Sequence, residues 1–140
     1  MKTLKLIIAG IVLILSGSLQ TIQAQVSVTI GTPPPWGPAE ASGIRFYYLP
    51  DIEVYFDVNT GEYVYYSGGA WIHAHELPPA YRHYDVWGGY KVPLRDYHGE
   101  RPWESHREYV KSYPKGYHRG EHQKTFGERP HDHDDHHDHK

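Results

Sequence analysis

IRFYYLPDIEVYFDVNTGEYVYYSGGAWIHAH, residues 44–75, is dense in β-branched and aromatic residues and is broken only by turn chemistry. That composition predicts an antiparallel β-meander. Ile52, Val54, Phe56 and Val58 alternate with Glu53, Tyr55 and Asp57, the period of a strand with one buried side. Asn59, Thr60 and Gly61 then predict a hairpin turn, in which Asn and Gly accept positive φ and Asp57 or Thr60 is placed to bond the local backbone. Glu62–Ser67 returns as a strand, Gly68 and Gly69 make a tight turn, and Ala70–His75 is the next strand. Arg45–Leu49 adds another, ended by Pro50.

Downstream, ELPPAYRHYDVWGGYKVPLRDYHG mixes prolines, a glycine pair and scattered aromatics. Pro79 predicts one helical turn through His83, and Tyr90–Leu94 a short edge strand that tolerates Pro93. RPWESHREYVKSYPKG carries a helix start in Pro102 and Glu104 and a stop in Pro114 and Gly116, so a short helix is expected near 102–112. Trp103, His106, Val110 and Tyr113 would share its inner face. The fold expectation is therefore mainly β: a small antiparallel meander of three to five strands with a short C-terminal helix, spanning 44–114. A Pro-rich arm or linker at 25–43, with Pro33, Pro34, Pro35 and Pro38, precedes it. Beyond Lys115 apolar residues almost vanish, and 115–140 is expected to be a disordered His/Asp-rich tail.

The first 24 residues have the layout of a secretory signal peptide, with Lys2 and Lys5 ahead of an apolar run from Leu6 to Leu15 and a polar approach to Ala24. Cleavage before Gln25 is expected, since Ser16, Gly17 and Ser18 interrupt the run well below spanning length; the alternative is an uncleaved anchor. After cleavage no transmembrane span is expected. No cysteine follows the run, which excludes a lipid-anchored lipoprotein. The expected setting is the periplasm or the cell surface, with a fold that no disulfide staples. Loss of residues 1–24 removes two lysines and no acid, leaving 12 basic and 17 acidic residues, a formal charge of −5. That balance argues against nucleic acid, and no nucleic-acid partner is expected.

The chain carries Tyr47, Tyr48, Pro50, Asp51, Tyr55 and Asp57, then Tyr63, Tyr65, Gly69 and Trp71, then Leu77, Pro78, Tyr81, Arg82, Tyr84, Asp85, Gly89, Tyr90, Lys91 and Val92. In these motifs, YYLPDIEVYFDV, EYVYYSGGAW and LPPAYRHYDVWGGYKV, the chain resembles a group of small exported bacterial envelope proteins of uncharacterised function. The resemblance covers most of the stretch between Phe46 and Tyr109. It implies a small exported domain and brings no activity with it.

Four constellations bear on chemistry. His131, His133, His136, His137 and His139 alternate with Asp132, Asp134, Asp135 and Asp138 at the C-terminus. Neutral imidazoles with interleaved carboxylates suit Zn²⁺, Ni²⁺ or Cu²⁺, held loosely because a flexible tail must lose chain entropy to wrap an ion. Such a tail buffers or scavenges metal, or else only solubilises. His73 and His75 form a weaker second candidate, since one intervening residue would project both from the same strand face. DVNTGE offers Asp57, Asn59 and Glu62, but its flanking strands favour a hairpin turn over a calcium loop. Finally, Tyr55, Tyr63, Tyr65 and Trp71 are candidates to line an exposed sheet face as a platform for an envelope glycan or protein.

Nothing in the sequence calls for a catalyst or a required cofactor: there is no cysteine nucleophile, Gly-x-Ser-x-Gly elbow, His-Glu-x-x-His helix or phosphate-cradling loop. Two readings follow. One is a non-enzymatic exported protein whose tail binds transition metal; the other is an envelope interaction module whose aromatic sheet surface binds glycan or protein.

Overall fold

The structure, a computed structural model, describes residues 31–120 and 122–130. Its strands are β1 (Phe46–Leu49), β2 (Val54–Asp57), β3 (Glu62–Ser67), β4 (Ala70–Ala74) and β5 (Val92–Pro93). All pair antiparallel in one open sheet of order β4-β3-β2-β1-β5, so the fold is mainly β, as the meander pattern predicts. A 3-10 turn at Pro79–Tyr81 follows β4. A second, at Pro102–Ser105, leads into the short helix α1 (His106–Ser112). Among the described residues no helix is long and apolar enough to cross a membrane.

The turns form where their chemistry places them. Ser67 pairs with Ala70 across Gly68 and Gly69, whose φ angles of +59° and +84° lie in the left-handed region that strains any side chain. At the β2–β3 turn, Asp57 accepts the Asn59 N–H at 2.9 Å through Oδ1 and the Gly61 N–H at 2.8 Å through its carbonyl. Arg45 holds the same carboxylate through Nε and Nη2 at 3.1 and 3.0 Å, which leaves the buried charge paired. DVNTGE is thus a hairpin turn with its carboxylate committed to the fold.

The expectation of one buried side is corrected: every residue of β1 and β2 is buried. One layer gathers Tyr47, Leu49, Ile52, Val54, Phe56, Val58 and Tyr63, and the other Phe46, Tyr48, Tyr55, Val64, Val92, Leu94 and Trp103. The alternation is real, but Tyr55 is not a polar partner to Val54 and Phe56; its ring is as buried as theirs. Tyrosine hides a large apolar body behind one hydroxyl, so a strand alternating aliphatic with tyrosine has two apolar faces.

The arm supplies part of the first cover. Trp36 meets Phe56 edge-on at 4.7 Å and stacks over Tyr63 at 6.1 Å, so residues 31–43 are packed structure rather than a linker; 25–30 lie outside the described residues. Gly37 suits this close approach, because a Cβ would meet the Pro34 carbonyl at 3.0 Å and the Tyr47 ring at 3.1 Å, tighter than ordinary contact. The second layer is covered by Trp103 and α1. The inward row runs Trp103, His106, Tyr109 and Tyr113, with Tyr109 rather than Val110 against Tyr48.

Disorder from Lys115 is also corrected for the described part of that segment. Ala39 N–H donates to the Lys124 carbonyl at 2.9 Å, Phe126 N–H to Gly37 at 2.9 Å and Gly127 N–H to Pro35 at 2.8 Å. Gln123 pairs with both backbone groups of Lys91, accepting at 3.0 Å and donating at 2.8 Å, and Arg129 bonds Asp85. These bonds, with Tyr117 packed on Tyr113, offset the ordering entropy that the segment's sparse apolar content does not. Lys91 itself is fully buried, its Nζ donating to Val86 and Trp87 carbonyls at 2.9 and 3.2 Å. Burial lowers its pKa to about 8.

Candidate functional site

The β3–β4 hairpin is longer than its neighbour. Pairing of β2 with β3 stops at Tyr55 and Val64, whereas β3 and β4 stay paired to Ser67 and Ala70. Glu53, at φ +56°, turns the chain away at this point, an unusual conformation for a residue with a side chain. The overhanging hairpin, the Ile52–Glu53 corner, the Pro78–Tyr81 turn and the start of α1 thereby enclose a groove of about 670 Å³. Tyr65, Tyr66, Ile72, Pro78, Pro79 and Tyr81 give it an aromatic and aliphatic lining, to which Glu53 and His106 add the titratable groups. Tyr66 is 60 % and Ile72 37 % exposed.

A chain of contacts runs inward from this groove. Tyr66 meets Trp71 edge-on at 5.3 Å, and Trp71 meets His106 at 4.9 Å. His106 Nδ1 lies 2.9 Å from the buried Tyr55 hydroxyl, and its Nε2 lies 4.0 Å from Glu53 Oε2. Burial lowers the His106 pKa, an effect the Glu53 carboxylate only partly opposes. With the ring neutral, the tautomer that suits both sides has Tyr55 O–H donating to Nδ1 and Nε2–H facing Glu53. Burial raises the Tyr55 pKa strongly, so the phenol stays protonated and out of solvent. His106 and Glu53 can therefore offer a donor and an acceptor on the groove wall, while Tyr55 orients the imidazole from behind.

The four aromatic residues expected on one platform are divided. Tyr55 and Tyr63 are buried, not surface groups, because both sheet faces are covered. Tyr55 and Trp71 belong to the helix-side layer; Tyr63 and Tyr65 belong to the other. Tyr65 lines the groove, and Trp71 backs it through Tyr66 and His106. Glu53, Tyr66, Ile72 and His106 were not singled out from sequence for this site. Their convergence depends on the unequal lengths of β2 and of the β3–β4 hairpin, for which Pro50 and the Gly68–Gly69 turn are the only local signals.

His73 and His75 each have a partner of their own. His73 lies edge-on to Trp103 at 5.0 Å with Nδ1 3.6 Å from Glu62, while His75, past the end of β4, has Nδ1 3.3 Å from the Gly61 carbonyl. Among the described residues no group of three or more His, Cys, Asp or Glu side chains is placed to hold a metal ion. The tail candidates, His131 to His139 with their aspartates, lie outside the described residues. A scan against protein-family models finds no match, and searches of the curated proteins and of the solved structures find none either.

Proposed function

We propose that this chain is a non-enzymatic exported protein, acting in the periplasm or at the cell surface, whose sheet domain is an interaction module. The groove beside α1 is the binding site in this reading. The observation that carries it is the exposure of Tyr66 and Ile72 in a concavity whose other walls are also aromatic or aliphatic, within a domain that buries its aromatic residues on both sheet faces. An apolar concavity of this kind marks a contact surface. Glu53 is the one acidic residue in the lining, which holds no lysine or arginine, so the occupant that fits is an extended apolar segment of a partner protein carrying a lysine or arginine. The apolar lining favours a peptide over a glycan here.

Pulldown from envelope fractions in the presence of chelator, comparing the wild-type chain with Tyr66→Ala and Ile72→Asp, tests the proposal. Retention of the same partner by both variants would sink it.

The sequence of the tail supports a second, accessory reading: five imidazoles within nine residues, interleaved with carboxylates, chelate Zn²⁺, Ni²⁺ or Cu²⁺ loosely. Titrating Zn²⁺ into the full chain and into a version ending at Pro130 should show stoichiometric loss in the shorter form. Binding to the full chain should weaken near pH 6, where imidazole takes up a proton.

A further inference from the structure

A second concavity, of about 440 Å³, lies at the C-terminal end of α1, between Tyr109 and Tyr113, the β5 segment, and Tyr117 and Arg119 of the C-terminal strap formed by residues 115–120 and 122–130. Its volume falls in the roughly 300–1,000 Å³ range of small-molecule sites. Five tyrosines line it, Tyr90, Tyr97, Tyr109, Tyr113 and Tyr117, and all are half-buried rather than closed over. Tyr117 meets Tyr113 edge-on at 5.0 Å and Tyr90 at 5.6 Å, while Tyr109 and Tyr113 lie nearly parallel at 6.5 Å. All five side chains contribute to the cleft wall.

The charged groups balance in number, and two of them, Glu40 and Arg95, are held by hydrogen bonds. Glu40 and Asp96 stand against Arg95 and Arg119 in the lining. Gln123 Nε2 donates to Glu40 Oε1 at 3.1 Å, and Arg95 Nη2 donates to the Glu40 carbonyl at 2.8 Å. Tyr97 is likewise oriented, its hydroxyl accepting the Arg101 N–H at 2.8 Å. The cleft therefore offers aromatic surface, phenolic hydroxyls, two carboxylates and two guanidinium groups with no net formal charge.

A simple anion or cation gains little from a site in which the opposite charges cancel. An aliphatic ligand would strip water from four charged groups and several phenols without repaying their hydrogen bonds. The chemistry that matches is a neutral ring with apolar C–H faces and a rim of hydroxyls: the faces lie on tyrosine rings, and the hydroxyls reach carboxylate and guanidinium.

We infer that this tyrosine cleft is a carbohydrate-binding site, taking a short neutral pyranose oligosaccharide. It is separate from the peptide groove and does not rest on that assignment. Its position across the α1–strap junction means that an occupied cleft bridges Tyr109 and Tyr113 on one side to Tyr117 and Arg119 on the other, which should hold the strap to the domain.

The test uses the full chain and two neutral probes, chitotriose and cellotriose, followed by aromatic-region NMR and by calorimetry. Binding of at least one trisaccharide is expected. The shifts should fall on Tyr113 and Tyr117, and affinity should drop at least tenfold in Tyr117→Ala and in Arg119→Ala but stay unchanged in Tyr66→Ala. Near-UV circular dichroism establishes that each variant remains folded, and Tyr113→Phe, which keeps the ring, gives a milder second variant should Tyr117→Ala unfold. Failure of both sugars to bind, or shifts confined to the groove residues, overturns the inference while leaving the peptide reading untouched.

Discussion

The two layers that sandwich the sheet are built from similar residues and behave differently. On the arm side, Trp36, Phe56, Tyr47 and Tyr63 pack ring against ring around Leu49, Val54 and Val58, a core of mainly hydrocarbon contact. On the helix side, Tyr48, Tyr55 and Trp71 pack around His106, Tyr109 and Tyr113 lie against Tyr48, and one concavity borders the first residue of α1 while another borders its C-terminal end. The lesson is that aromatic content alone does not distinguish core from site. What distinguishes them is where the hydroxyls and the imidazole find partners, and where the cover stops short of the sheet.

The largest expected effect comes from breaking the arm-side layer. Phe56→Ala removes a ring that touches Trp36, Tyr47 and Tyr63 at once, and should cost about 3–5 kcal/mol in a denaturant titration. For a chain this small, such a loss removes much of the total stability. Tyr66→Ala on the overhanging hairpin should change stability by only about 0.5 kcal/mol, since its ring is mostly exposed, while abolishing partner capture. Equal stability losses in the two variants would erase the distinction between core and site.

Alkaline pH should weaken both layers together. Burial holds Tyr47 and Tyr63 at about 12 and raises Tyr48 and Tyr55 further, so the folded chain keeps protons that the unfolded chain releases above pH 10. Stability from these groups is fully present below pH 10 and is lost as pH climbs through 12. His106 works at the acid end. Its pKa is lowered in the folded chain, so the unfolded chain takes up the extra proton and stability falls as pH drops below 6.5. The acid loss, unlike the alkaline one, should vanish in His106→Phe when thermal midpoints are compared between pH 7 and pH 5.

The smallest effects separate tyrosines within the layers. Tyr47 and Tyr48 bury their hydroxyls without a hydrogen-bond partner among the described residues, whereas Tyr55 bonds His106. Tyr48→Phe should therefore be neutral or slightly stabilising, and Tyr55→Phe should cost about 0.5–1.5 kcal/mol in denaturant midpoints.

Much of the strand order was readable because turn chemistry is local: NTG and GG fix the two hairpins within a residue or two, and Pro50 ends β1 where expected. The burial of both faces was not readable from alternation, since Tyr55 reads as polar by its hydroxyl and packs by its ring. Nor was the strap, because Lys124, Phe126 and Gly127 are held by backbone hydrogen bonds to Ala39, Gly37 and Pro35, which leave no trace in side-chain pattern. The candidate groove was half visible. Tyr65 and Trp71 were identifiable as aromatic surface candidates, but Glu53 and His106 meet only because α1, some fifty positions later, docks its first residue beside Tyr55.

In the proposed function, recognition belongs to the folded domain and the tail has an accessory part. A photo-crosslinking side chain at position 66, introduced into both the full chain and a chain ending at Pro130, tests this most directly with chelator present. The same cross-linked partner is expected from both. A cross-link that disappears when the His/Asp tail is removed would contradict it.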